Sequence, residues 1–137
     1  MSLIRLLDVS DEFDDDGIET YVFDIVVDKI ERTVGRIEFR YESGRDLLYY
    51  GNIGYVIYLP YRGHNYAYHA CIALRAYLYI LDPSMKSCMI TCNPDNTASK
   101  KTILKLGAQY VECVDVAADH ELFSSGDYQK EVYRWDF

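Results

Sequence analysis

The spacing of hydrophobic and polar positions changes several times along the chain, and each change marks an element. Two apolar stretches near the start, Leu3–Val9 and Tyr21–Val27, have the length and residue types of strands. Residues 33–41 alternate: Val34, Arg36, Glu38 and Arg40 fall on one face, and Ile37, Phe39 and Tyr41 on the other. A period of two with one apolar face predicts a third strand, and Gly44 marks the turn after it. Residues 47–59 are apolar and aromatic and predict a fourth strand, with Gly51 and Gly54 inside it. Glycine within a strand marks a bulge or a place where another group approaches the backbone closely. Pro60 ends this strand.

From Arg62 the period lengthens. Ala67, Ala70, Cys71, Leu74, Leu78 and Leu81 recur at steps of three and four, which predicts a helix with one buried stripe, stopped by Asp82-Pro83. Residues 87–92 predict a short strand and Asn93-Pro94-Asp95-Asn96 a turn. Asn96 then serves as the N-cap of a helix through Leu106, closed by Gly107. Tyr110–Val114 and Glu131–Phe137 predict two more strands. The order is four strands, helix, strand, helix, strand, loop, strand. That is a mixed α/β domain of three layers, in which one crossover brings strands side by side in parallel. No repeat and no Pro/Gly/Ser linker divides the chain, so residues 1–137 are expected to form a single domain.

Composition narrows the function. Half of the 137 residues are apolar, which excludes disorder of the low-hydrophobicity kind. Lys and Arg number 14 against 22 Asp and Glu, a net charge of -8, which argues against nucleic acid as a partner. No apolar run approaches the roughly 20 residues of a membrane span, so no membrane partner is expected. Met1-Ser2-Leu3-Ile4-Arg5 shows no basic segment leading into an apolar one, so no signal peptide is expected either. Cys71, Cys88, Cys92 and Cys113 sit among apolar residues without any CxxC pair, and only three histidines are present. Free thiols of a reducing cytoplasm are the expectation, with no metal site. The run Asp11-Glu12-Phe13-Asp14-Asp15-Asp16 reads as a solvated loop or as a mouth that draws in a cationic substrate. Fourteen tyrosines suit an interface, and a monomer and a homodimer both stay open.

The segment that points to chemistry is Gly54-Tyr55-Val56-Ile57-Tyr58-Leu59-Pro60-Tyr61-Arg62-Gly63-His64-Asn65-Tyr66-Ala67. A strand runs into a loop that opens a helix. The first turn of a helix has unpaired N–H groups and the positive end of the dipole, so it can hold a phosphate. Gly63 lets the backbone come close, and Arg62 adds charge. Alone, an Arg and a Gly at such a junction also serve plain turn geometry. A second segment follows the next strand: Asn93-Pro94-Asp95-Asn96-Thr97-Ala98-Ser99-Lys100-Lys101-Thr102-Ile103-Leu104-Lys105-Leu106-Gly107-Ala108.

Together the two segments resemble the GCN5-related N-acetyltransferase (GNAT) superfamily, in the style of its ribosomal-protein-type branch. The first is similar to the pyrophosphate loop, commonly Arg/Gln-x-x-Gly-x-Gly/Ala, and the second to the family's Asn-x-x-Ser helix ending in Leu-Gly. Gly51-Asn52-Ile53-Gly54-Tyr55 is similar to the strand that leads into the loop, and the resemblance spans about residues 33–115. It implies a three-layer sandwich around a mixed, mostly antiparallel sheet of about six to seven strands, with two parallel strands splayed to open a slot. It also implies transfer of an acetyl group from acetyl-CoA to a primary amine of a small molecule or peptide. On the resemblance, the N–H groups of Arg62, Gly63, His64, Asn65, Tyr66 and Ala67 wrap the CoA pyrophosphate. The backbone of Val56, Ile57 and Tyr58 pairs with the pantetheine arm like an added strand. Asn93 or Asn96, with Ser99, touches the same arm; as plain structure they are the cap and first turn of a helix.

The chain departs from the family in several places. Asn65 stands where the second loop glycine would be, and asparagine is the next most tolerant residue of positive φ. Tyr68-His69 replaces a Thr-Glu pair. Ile103 occupies the position where many members carry a tyrosine that protonates the leaving thiolate. The N-terminal region is reduced: residues 10–18 replace the two helices that would wall the acceptor pocket. For catalysis, Glu38 is the candidate base, its alternative being a surface carboxylate paired with Arg36 or Arg40. Tyr58 is the candidate proton donor, with Tyr110 as a second. His69 reads as a packing or surface residue, and Cys92 as core. The competing reading is a non-catalytic acyl-CoA-binding sensor or interaction domain of the same fold.

Overall fold

The computed structural model describes residues 4–13 and 17–137. The chain builds β1 (Arg5–Asp8), β2 (Thr20–Val27), β3 (Arg32–Arg40), α1 (Gly44–Tyr50) and β4 (Ile53–Ile57). It continues through α2 (Tyr66–Leu81), β5 (Ser87–Cys92), α3 (Thr97–Lys105), β6 (Gln109–Asp115), α4 (Glu121–Ser124) and β7 (Gln129–Asp136). The strands form two antiparallel sheets in the orders β1-β2-β3-β4 and β5-β7-β6. No described helix is long and apolar enough to cross a membrane.

One apolar core joins both sheets to α2 and α3. Phe23 and Ile25 of β2, Val34 and Ile37 of β3, Leu74 of α2 and Ile103 of α3 are fully enclosed. Each such side chain contributes about 1.5–3 kcal/mol by leaving water. The helical stripe read from the sequence holds at Ala70, Cys71, Leu74 and Leu78, which are buried, while Leu81 at the helix end is exposed. Trp135 of β7 is buried, and its indole N–H donates to the Leu106 carbonyl at 3.1 Å, pairing one of the orphan acceptors at the C-terminus of α3.

The pattern misplaces several features. Every ladder among the described residues is antiparallel, so the strands expected side by side in parallel do not pair, and the stretch expected as loop after β6 contains α4. Val34 does not share a face with Arg36, Glu38 and Arg40. A bulge opposite Ile25 and Val26 leaves it unpaired (Ile25 faces Gly35 and Val26 faces Thr33), and the extra residue turns Val34 into the core. Residues 47–59 are not one strand. Residues 44–50 coil into α1, which ends at Gly51 with φ of 67°, and only Ile53–Ile57 extend. The helix expected from Arg62 begins at Tyr66, because a 3-10 turn over Leu59–Tyr61 and positive φ at Gly63 (93°) and Asn65 (59°) hold the preceding loop out of helix. Asp11 and Glu12 lie exposed in another 3-10 turn, Ser10–Glu12; Asp14, Asp15 and Asp16 lie outside the described residues.

The sheets meet where β4 begins. The Asn52 N–H donates to the Met89 carbonyl at 2.8 Å, and the Met89 N–H donates to Asn52 Oδ1 at 2.9 Å. Asn52 Nδ2 donates to the Arg40 carbonyl at 2.9 Å, tying the same residue to β3. Gly51 lies so close that a Cβ there would sit 2.9 Å from the Met89 carbonyl oxygen. Beyond this point β4 and β5 form no ladder, and a slot opens between them.

Candidate functional site

The slot's first wall is the outer edge of β4. Two bonds set the phase of its pairing with β3: the Arg40 N–H donates to the Asn52 carbonyl at 2.7 Å, and the Tyr58 N–H to the Val34 carbonyl at 2.8 Å. The register between them is unbroken. In an antiparallel pair alternate residues bond the partner, so Gly54, Val56 and Tyr58 turn their peptide groups to β3. Tyr55 and Ile57 turn theirs away, into the slot. Of Val56, Ile57 and Tyr58, whose backbone the resemblance pairs with the pantetheine arm, only Ile57 turns its peptide group into the slot. The Ile57 carbonyl accepts from Arg62 Nε at 2.9 Å.

A cleft of about 650 Å³ runs from this edge to α3 and the N-terminus of α2. Val56, Ile57, Arg62, Gly63, Asn65, Tyr66, Ala67, Asn96 and Ser99, which the resemblance assigns to CoA, line it together. Asn65 adopts the left-handed conformation expected of it, with φ of 59° and ψ of 25°. The Arg62 N–H is spent on the Leu59 carbonyl at 3.3 Å, so the loop's free donors begin beyond it. His64 and Tyr58 do not line the cleft. His64 stacks on Tyr66 with ring centroids 5.2 Å apart, and Tyr58 lies past the end of β4 with its ring exposed.

Sequence reading missed Tyr55, Tyr61, Ala98, Lys101, Thr102 and Lys105, which also line the cleft. Four of these carried a signal: 98, 101, 102 and 105 are spaced as one face of α3, the face that also carries Ser99. Arg62, Lys101 and Lys105 give this cleft three cations, and no Asp or Glu lines it among the described residues. The negative net charge of the chain is therefore displaced from it. Lys105 Nζ lies 4.5 Å from the centre of the Tyr68 ring, linking α3 to α2 across one end.

A second cleft of about 220 Å³ opens on the other side of Tyr55, Asn96 and Ser99, which line both. Its remaining walls include Tyr49, Tyr50, Gly54, Thr91, Cys92, Asn93 and Lys130. Asn93 thus belongs to this cleft and not the first, drawn there by the bond from its Nδ2 to Asp127 Oδ1 at 2.7 Å. Asn96 is the N-cap of α3, its Oδ1 accepting the Ser99 N–H at 3.1 Å. The Tyr55 hydroxyl and Ser99 Oγ lie 2.8 Å apart at the junction of the two clefts. Burial pushes the Tyr55 phenol well above its ordinary value.

Glu38 lies opposite Gly54 in the ladder and pairs with Arg40. A Cβ at Gly54 would come within 2.7 Å of Arg40 Nη1 and 3.3 Å of Glu38 Oε1, so this glycine makes room for the pair. Glu38 lines neither cleft, and its surface-pair alternative is the arrangement found. His69 packs edge-on to Tyr68, Tyr110 stands exposed on the outer strand β6, and Cys92 is buried in the core with its thiol pushed up by burial. The wall of the second cleft rests on a cluster the sequence did not reveal. His120 Nδ1 accepts the Leu122 N–H at 3.1 Å, its Nε2 lies 2.8 Å from Asp46 Oδ1, and its ring packs on Tyr49 and Tyr50.

Comparison with known proteins fits this geometry. Residues 6–109 match the family model described as the acetyltransferase (GNAT) domain. No curated protein matches the sequence. Among solved structures, the microcin C7 self-immunity acetyltransferase MccE, in complex with acetyl-CoA and AMP, is 18% identical with a TM-score of 0.65, the match covering 86% of this chain and 61% of that one. A GNAT-family acetyltransferase from Bacillus anthracis is 21% identical with a TM-score of 0.63, covering 82% of this chain and 64% of that one. The ribosomal-protein-S5-alanine acetyltransferase from Vibrio fischeri is 13% identical with a TM-score of 0.65, covering 85% and 61%. At these identities the likeness is one of fold. The chain spans about three fifths of the length of the structures it matches.

Proposed function

The chain belongs to the acetyltransferase (GNAT) family, and from that premise we propose that it moves an acetyl group from acetyl-CoA to a primary amine by direct attack. The observation that carries this reading is the first cleft. It combines a strand edge with outward-facing peptide groups at Tyr55 and Ile57, a loop of positive-φ residues before the N-terminus of α2, and three cations with no carboxylate among the described residues that line it. CoA presents matching chemistry: an amide-bearing arm that can add to a strand edge and phosphates that suit a helix N-terminus.

On this reading the loop from Gly63 to Ala67 holds the pyrophosphate, with Arg62, Lys101 and Lys105 completing its charge. The thioester carbonyl oxygen, which gains negative charge when the amine attacks, meets an N–H of the slot edge at Tyr55 or Ile57. The amine reaches the carbonyl from the second cleft in its neutral form. The acceptor is an amine of a small molecule or a peptide, and residues 1–137 act as one domain. The cytoplasm is the proposed compartment, in keeping with the four free thiols.

The test is a thiol-release assay with acetyl-CoA and a panel of primary amines. Enzyme-dependent release that requires an amine supports acetyl transfer. A second reading, acyl-CoA binding without turnover, is favoured by the absence of carboxylate and imidazole from both clefts among the described residues. Tight acetyl-CoA binding with no release across the panel would establish it instead.

A further inference from the structure

A thioester lying along the first cleft and an amine entering through the second meet at the side chains common to both, Tyr55, Asn96 and Ser99. The attacking amine must shed a proton and the leaving sulfur must gain one. Neither cleft is lined by an Asp, Glu or His among the described residues. Glu38 is held by Arg40, and Ile103 is sealed in the core. What stands at the junction is the pair of hydroxyls 2.8 Å apart. Both come from rigid elements. Ser99 sits in the first turn of α3 with its N–H held by Asn96 Oδ1, and Tyr55 sits mid-strand in β4 opposite Ile37. A hydroxyl donates one hydrogen bond and accepts up to two, so each can hold its partner and still reach a reacting atom.

Resting on the acetyl-transfer reading, we propose that Tyr55 and Ser99 form a neutral proton relay from the attacking nitrogen to the departing sulfur. The nitrogen lone pair forms the C–N bond, the C–S bond breaks, and its electron pair goes to sulfur. The surplus proton on nitrogen passes to one hydroxyl oxygen, that hydroxyl's own proton passes to the other, and the other's proton passes to sulfur. Both side chains end neutral, the protons balance, and no further reactant enters. The raised phenol of Tyr55 agrees with this, since a group that stays protonated passes a proton on and does not store a charge.

The experiment uses the full chain with CoA and acetyl-CoA. A hydroxyl that donates to sulfur favours the thiolate, so CoA bound to the wild type should titrate, by ultraviolet thiolate absorption, below free CoA. Tyr55→Phe keeps the ring and removes only the hydroxyl; Ser99→Ala does the same for its partner. Each should move the bound thiol back toward the free value, with calorimetry showing that the variants still bind CoA. With acetyl-CoA and primary alkylamines, each variant should lower kcat by on the order of 10²-fold, a larger change than in KM for acetyl-CoA. The double variant should fall no further than either single one, because a relay fails at its first missing member. A thiol that titrates alike in Tyr55→Phe and wild type would overturn the relay, as would a Tyr55→Phe kcat within twofold of wild type. If the wild type binds CoA but acetylates no alkylamine, no proton is relayed and the proposal is overturned, while CoA binding by the first cleft stands. If it binds no CoA, the acetyl-transfer reading fails at that step and the relay with it.

Discussion

Asn52 and Met89 are joined by two hydrogen bonds, one through the Asn52 backbone and one through its side chain, at 2.8 and 2.9 Å. The side chain takes the place of a ladder bond that the backbone cannot make once β4 turns away from β5. It also donates to the Arg40 carbonyl, so a single residue holds both sheets at the closed end of the slot. Asn52→Ala removes two of these three bonds and leaves the Met89 N–H and the Arg40 carbonyl unpaired. The expected cost is about 2–4 kcal/mol, read from urea unfolding. A loss below about 0.5 kcal/mol would show that the sheets are joined by packing alone.

Gly35 faces β4 across the ladder, and a Cβ there would lie 2.2 Å from the Val56 carbonyl oxygen. Backbone cannot yield as a side-chain tip can. Gly35→Ala should destabilise the fold by at least about 1–3 kcal/mol and, by pushing β4, weaken acetyl-CoA binding in the same variant. Wild-type melting and affinity together would contradict the assigned register.

Arg62 is exposed and lines the first cleft. Arg62→Glu should leave stability within about 0.5 kcal/mol but weaken acetyl-CoA binding by about 10- to 100-fold, the range of a lost charged hydrogen bond. Affinity should also fall as salt rises in the wild type. Equal affinity in the variant would remove the loop from the site.

Burial raises the Cys71 thiol from about 9 to about 12, and Cys88 is raised for the same reason. A folded-state pKa above the unfolded one means that stability is full below about pH 9. It is then lost as pH rises toward 12, because the unfolded chain releases the proton first. Unfolding free energy should fall across that window, and Cys71→Ala should make the slope shallower by about 1.4 kcal/mol per pH unit. An unchanged slope would contradict burial as the cause. Thiol titration offers a direct companion: Cys113, which is exposed, should react in the native protein, and the buried Cys71, Cys88 and Cys92 only after unfolding.

Much of this is legible in the residues. The stripe from Ala70 to Leu78, the Asn96 cap and the positive φ at Asn65 follow from local rules, since each depends on its neighbours in sequence. What was not legible depends on pairing between distant segments. The bulge that turns Val34 inward exists only relative to Ile25 and Val26. The outward-facing peptide groups of Tyr55 and Ile57 follow from the phase of the β3 ladder, which no spacing within β4 reveals. The apolar run 47–59 concealed a helix because Tyr49 buries into the β6–β7 side of the fold, its hydroxyl donating to the Asp115 carbonyl at 3.2 Å and accepting the Ala117 N–H at 3.0 Å. Tyr55, the residue on which both clefts turn, reads in sequence as one apolar strand position among many.

Isothermal calorimetry of the full chain with acetyl-CoA shows whether the first cleft holds it. Saturable binding of one acetyl-CoA per chain is expected, with free CoA binding comparably through the same phosphates and arm, and with Arg62→Glu weakening both. No heat of binding for either compound at concentrations well above those of the protein, together with an unchanged melting temperature in their presence, would contradict it.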